Sequence, residues 1–408
     1  MSSTPSERTR LLENGGQNGE IHKPFAQRAT AFFKAEGEPS WVASYKYFWF
    51  GAWVNILLIF VPLSFLAHNL NWDAPLRFIF SFIAIMPLAK LLGEATDQMS
   101  MTLGQTVSGL LNASFGNAVE IIVGIAALMQ GQIRIVQTSM LGSILSNILL
   151  VLGCSFLAGG FKFLESNFQV TAAQTSSSLM TLSCLTLVIP AAYHSSRGKP
   201  DGPDYSESGL LIISRGTAIL LLLVYIAYLF FQASLILRVL ELCDNPPNED
   251  EEKDEPRMST ISAGSALLAV TVITSFCADY LVSSIEETAD RYNIPKPFIG
   301  LILLPIVANA AEHVTSVWMA MKGKMELTIG ICVGSSIQIS AFVIPLLVII
   351  GWITGHELTL FFADFETIIL FVSVLLVNIL IQDGKSNYME GLLLITLYLV
   401  IALAFWVA

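Results

Sequence analysis

The sequence predicts an all-α polytopic membrane protein of eleven transmembrane helices, one extra helix followed by two inverted five-helix repeats. Three observations carry this. Of 408 residues, 54% are hydrophobic and only 13% charged, with a mean hydropathy of +0.66, whereas soluble globular chains carry about a quarter charged residues. Apolar runs recur at a length that suits a hydrocarbon core about 30 Å thick, which needs about 20 helical residues. Polar motifs from the first half also return in the second at one fixed spacing.

Residues 1–45 form a polar tail, read as cytosolic, with no apolar segment of the signal-peptide kind. Within it Glu7-Arg8-Thr9-Arg10-Leu11-Leu12 has the form of an acidic dileucine sorting address. Eleven spans follow, near 48–69, 75–95, 106–130, 136–160, 172–194, 209–241, 261–284, 297–322, 326–352, 358–382 and 389–408. The expected organisation is an extra first helix over 46–72, a first repeat over 73–242, an acidic linker over 243–260 and a second repeat over 261–408. Basic residues of the tail, including Arg8, Arg10, Lys23, Arg28, Lys34 and Lys46, favour a cytosolic N-terminus. Eleven crossings then put the C-terminus on the far side and the linker in the cytosol.

The repeat is found by self-comparison. Glu94-Ala-Thr96 returns as Glu286-Glu-Thr288, and Asn117-Ala118-Val-Glu120 as Asn309-Ala310-Ala-Glu312. Met129-x-Gly131 returns as Met321-x-Gly323, and Gly142-Ser143 as Gly334-Ser335. Every pair is 192 residues apart (312 − 120, for example). Five spans per copy is an odd number, so the second copy enters the membrane from the opposite side. Inverted repeats of this kind build alternating access in secondary transporters.

Glu120 and Glu312 each fall near the centre of an apolar span. A carboxylate there costs about 2.5–3.5 kcal/mol on insertion scales, so it marks an ion or proton path. Asn117 and Asn309 precede them by three positions, which puts both side chains on one helical face. Pro305 is expected to break or kink span eight and free carbonyls near the site. The partner spans add Ser143, Ser146 and Asn147 in one copy and Ser335, Ser336 and Gln338 in the other. Such an all-oxygen set suits a hard cation, and calcium accepts 6–8 oxygens in flexible geometry. Without a cation, desolvation and mutual repulsion make two neighbouring carboxyl groups hold protons. A divalent ion expels them, so occupancy by protons or by calcium becomes mutually exclusive. His313, which has no counterpart in the first copy, is either a proton relay or a packing residue. Glu94, Asp97, Glu286 and Asp290 lie at the ends of spans two and seven, where a cation vestibule and plain solvated helix ends are both open.

The linker acids Glu249, Asp250, Glu251, Glu252, Asp254 and Glu255 read as a solvated connection, with cytosolic calcium sensing as the sharper alternative. The net charge of −11 gives no basic face for nucleic acid. Cys154, Cys184, Cys243, Cys277 and Cys332 show neither zinc-ligand spacing nor a disulfide framework and read as packing residues. Asn112-Ala-Ser114 lies inside a span and is rejected as a glycosylation acceptor.

At Gly116-Asn117-Ala118-Val119-Glu120 and Asn309-Ala310-Ala311-Glu312-His313 the sequence resembles the calcium/cation–proton exchanger (CAX) family of the cation/calcium antiporter superfamily, and within it the fungal vacuolar exchangers. The resemblance implies eleven spans, a regulatory acidic segment between the halves and residence in the vacuolar membrane. It implies that Glu120 and Glu312 bind the cation, lined by Asn117, Asn309, Ser146 and Gln338. It also implies that luminal protons exchange for cytosolic calcium, with manganese as a second cation and no cofactor. Ala308 stands where the family pattern has Gly. A sodium/calcium exchanger of the same architecture is the alternative; its relatives tend to carry Gly-Thr-Ser-x-x-Glu where this chain has Asn117 and Asn309. An enzyme is not expected: the Glu312-His313 order is the reverse of a zinc-protease HExxH and lacks a second His. A channel is the remaining alternative, and oligomeric state is left open.

Overall fold

The computed structural model describes residues 39–101, 108, 111–112, 114–168, 170–196, 207–242 and 256–407. The dileucine pattern and the acidic residues 249–255 of the linker lie outside the described residues. Among the described residues, seven helices are long and apolar enough to cross a membrane, or nine if each of two bent pairs makes one span.

Helix α1, Trp41–Phe50, begins at Ser40, whose hydroxyl accepts from the Ala43 amide. The helix therefore starts inside the stretch expected to be tail. It meets α2, Trp53–Asn69, at a bend of 84°. The expected first span 48–69 is thus broken at Gly51. Helix α3, Ala74–Ser100, and helix α8, Thr260–Tyr292, are the two longest-packed partners and run against each other along much of their length. Ser259 caps α8 by accepting from Ser262, and Asn293 ends it in the left-handed conformation with φ 52°.

The duplication is visible in the element bounds. Helix α4, Ala118–Met129, has its counterpart in α10, Ala310–Met321. Helix α5, Ile133–Lys162, corresponds to α11, Met325–Thr354. All four bounds are shifted by the 192 residues seen in the motifs. The turns joining them are made by Gly131 (φ +73°) and Gly323 (φ +77°), a left-handed backbone that glycine alone adopts without strain. Helices α5 and α11 each contain a π-helical segment, Ser146–Val151 and Ile339–Val343. The remaining helices are α6 (Val170–Ser196), α7 (Glu207–Leu242), α9 (Lys296–Ala308), α12 (Asp364–Leu380) and α13 (Tyr388–Val407). A two-residue ribbon, Ser166–Asn167 antiparallel to Lys385–Ser386, ties the α5–α6 and α12–α13 connections together.

Two sequence expectations need correction. Span eight does break, by 58°, but between Ala308 and Ala310 rather than at Pro305. The π-helical segment Ile299–Leu303 precedes Pro305 and absorbs its missing amide within a continuous helix. Span ten does not begin at 358: Leu358, Leu360 and Phe362 are buried in a non-helical segment, and α12 starts only at Asp364. Its start is defined by Glu366, which accepts from the Ala363 amide at 3.2 Å. The apolar run was therefore a buried loop followed by a helix.

Close backbone approach holds the core together. A methyl group on Gly142 of α5 would lie 2.2 Å from the Leu301 carbonyl oxygen of α9. On Gly391 of α13 it would lie 2.4 Å from the Leu157 amide of α5. Small residues allow such contacts where lipid supplies no hydrophobic drive between helices.

Candidate functional site

Asn117 and Asn309 are where two helices begin. Each is the residue before the first turn, with φ −112°, ψ 32° and φ −88°, ψ 16°. They are thus not on a shared helical face with their glutamates, as a continuous helix would have it. They stand outside half-helices, and Glu120 and Glu312 lie in the first turns. Half-helix N-termini carry unpaired amides and the positive end of the helix dipole, which favours anionic groups there. Interrupted helices of this kind form midplane sites in transporters.

Neither Asn caps its own helix; both reach across to the other copy. The Asn117 amide donates to Gln338 Oε1 and its carbonyl oxygen accepts from Ser335 Oγ at 3.1 Å. Asn147 Nδ2 donates to the same Ser335 Oγ at 2.9 Å. Asn309 Nδ2 donates to the Ser143 carbonyl at 3.2 Å. Gln338 and Ser146 are counterparts at the mouths of the two π-helical segments. The residues picked from sequence therefore meet in one cluster of α4, α5, α10 and α11.

What the cluster leaves unpaired is telling. Glu120 Oε1, Glu312 Oε2, Ser146 Oγ, Asn147 Oδ1 and Asn309 Oδ1 are all buried and accept no hydrogen bond. Buried polar atoms are nearly always paired. Five orphaned oxygens from α4, α5, α10 and the α9–α10 break, two of them carboxylate, form a ready set of hard ligands. A narrow pocket adjoins Glu120 and Ser143 and is walled by Ser139, Pro305 and Ala308. Ala308, the departure from the family pattern, thus faces this space.

The copies are not equally exposed. Glu120 is 2% exposed and Ser146 1%, while their counterparts Glu312 and Gln338 are half-buried. Thr315 is exposed where its counterpart Val123 is buried. The second copy contributes the more exposed side of the site. His313 is half-buried beside Glu312. Glu94 and Glu286, by contrast, lie outside the cluster and pair with Lys90 and Lys296, each at 2.6 Å. Cys154, Cys184, Cys277 and Cys332 are free thiols, the last three buried.

Sequence reading missed one neighbour. The buried Tyr398 hydroxyl of α13 approaches Ser146. A lone tyrosine in an apolar span, with no counterpart at the repeat spacing, gave no signal.

The family model described as sodium/calcium exchanger protein matches residues 74–234 and 263–407, one stretch on each side of the linker. The chain belongs to the sodium/calcium exchanger protein family. Members similar to it include the vacuolar calcium ion transporter of Schizosaccharomyces pombe, 48% identical over 87% of this chain and 85% of that protein. Vacuolar cation/proton exchanger 2 of Oryza sativa subsp. japonica is 43% identical over 87% of this chain and 81% of its own length. Among solved structures, the selenium-substituted Ca2+/H+ antiporter protein YfkE is 32% identical with a TM-score of 0.73, covering 87% of this chain and 99% of that one. The fold of that antiporter thus extends over 87% of this chain.

Proposed function

We propose that the chain is a secondary antiporter that exchanges luminal protons for cytosolic calcium and so loads the vacuole. The observation that carries this is the set of orphaned buried oxygens on Glu120, Glu312, Ser146, Asn147 and Asn309. Calcium satisfies them as ligands. Protons on Glu120 and Glu312 remove the negative charge that calcium needs, so the two cargoes compete for one site. His313, beside Glu312, is placed to pass protons to it. Manganese, a smaller divalent ion with the same preference for oxygen, is a second cargo.

The chain crosses the membrane eleven times in this reading. Helix α2 is the extra span, and two inverted five-span repeats meet at α4, α5, α10 and α11. The N-terminus is cytosolic and the C-terminus luminal. The acidic linker, on the cytosolic side, is a place for calcium sensing. The vacuolar location rests on the similarity to vacuolar relatives. The same relatives support protons rather than sodium as the counter-ion, as do the amides at Asn117 and Asn309.

The test is calcium uptake into vesicles containing the purified protein. An imposed proton gradient should drive uptake by the wild type and not by Glu120→Gln. Uptake driven by a sodium gradient alone would overturn the reading in favour of sodium exchange, and uptake by Glu120→Gln would remove the site.

A further inference from the structure

The α4–α5 turn is tied to α8. Gln130 Nε2 donates to Asp279 Oδ1 at 2.6 Å and to the Asp279 carbonyl at 3.2 Å. Two residues on, Gln132 approaches Glu286, which also holds Lys296. Helix α8 accordingly packs along α4. These contacts close the molecule at the end of α4, the helix whose first turn carries Glu120, the more buried carboxylate.

Part of this arrangement has a counterpart that is not assembled: Pro87 stands 192 residues before Asp279, so the duplicate is of the Gln132–Glu286 contact alone. Lys322 and Lys324 of the α10–α11 turn stand 192 residues after Gln130 and Gln132, and Glu94 of α3 stands 192 before Glu286. Helix α3 touches α10 much less than α8 touches α4. Glu94 is turned to Lys90 of its own helix. Lys322 lies over the ring of Trp318. Lys324 is exposed and makes no ion pair among the described residues. The open turn ends α10, the helix whose first turn carries the more exposed Glu312.

Inverted repeats alternate access by exchanging the conformations of their two copies. We propose that Lys324 and Glu94 form a second latch, assembled only in the opposite state, when α3 closes on the α10–α11 turn and the Gln130–Asp279 contact opens. Glu94 then trades Lys90 for Lys324, and each latch holds one end of the site shut. This rests on the alternating-access reading above. The substitution of amides by an ion pair also makes the two latches unequal.

The experiment is thiol cross-linking with a short bifunctional reagent in vesicles of the full chain. Two variants are compared, Gln130→Cys/Asp279→Cys and Glu94→Cys/Lys324→Cys, each with its single-cysteine controls. The first pair should cross-link in resting protein, and the second several-fold above its controls only under a calcium or proton gradient that drives turnover. Reduction of the cross-link should restore uptake in both. The proposal is overturned if the second pair never exceeds its controls, if it links equally well at rest, or if the first pair fails to link. Loss of the exchange reading would show separately, as wild-type vesicles without proton-driven uptake.

Discussion

Asn117 begins one half-helix and yet hydrogen-bonds Gln338 on the span that passes the other. The amide that would cap its own helix is spent on joining the copies. Because Asn117 is only 1% exposed, Asn117→Ala leaves the Gln338 oxygen without this donor and Ser335 Oγ without an acceptor. An unsatisfied buried polar group costs about 1–3 kcal/mol. The expected result is a destabilised protein by thermal unfolding and a calcium KM raised several-fold. Asn117→Asp keeps the acceptor for Ser335 but sets a carboxylate against the Gln338 oxygen in a buried cluster that already holds Glu120 and Glu312, and should lower Tm at least as much as Asn117→Ala.

Calcium should stabilise the wild type, because it binds oxygens that the folded chain alone brings together. At a hundredfold excess over Kd the gain is about 2.7 kcal/mol. Glu120→Gln should lose this calcium-dependent rise in Tm. The rise should also fade as pH falls, since calcium requires both carboxylates deprotonated. Each proton displaced on binding weakens the apparent affinity about tenfold per pH unit. Thermal unfolding over a grid of calcium and pH checks the sign; a calcium shift that grows on acidification would contradict the competition.

Much of this site was legible because the duplication is ungapped from Glu94 to Gly142. The spacing that pairs Glu120 with Glu312 also pairs the ends of α4 with α10 and of α5 with α11. What was not legible is how Asn117 and Asn309 act. Gly116-Asn117 sits in an otherwise apolar run, so hydropathy reads straight through a break that backbone conformation makes. Asn147 was visible beside Ser146, but its bond to Ser335 spans 188 residues and no local pattern encodes it. Leu358, Leu360 and Phe362 misled for the opposite reason: they are apolar because a loop is buried, not because a helix crosses lipid.

Glycine contacts should discriminate sharply. Gly142→Ala puts a methyl 2.2 Å from a backbone carbonyl that no rotamer can move, so α5 and α9 must separate. Overpacking of this kind typically costs about 1–3 kcal/mol, and here it also shifts Ser143, one residue away. Gly216→Ala in α7 meets nothing within 4 Å and gains helix propensity, about 0.5–1 kcal/mol. Unfolding midpoints of the two variants should move in opposite directions, with uptake lost in the first alone.

Arg134 and Glu366 give the last prediction. Arg134, at the start of α5, pairs with Glu366 in the first turn of α12. Glu366 is 1% exposed, while the Arg134 side chain is 42% exposed. Removing one partner of a fully buried pair costs about 3–5 kcal/mol, and the exposure of Arg134 lowers that to about half, since water can reach the abandoned carboxylate. Arg134→Ala should therefore lower Tm clearly. Glu366→Gln in the same background should recover part of the loss, because it removes the stranded charge while its side-chain oxygen can still accept from the Ala363 amide. A double variant no more stable than Arg134→Ala would mean that the arginine acts by packing its stem on neighbouring residues rather than by compensating the buried charge.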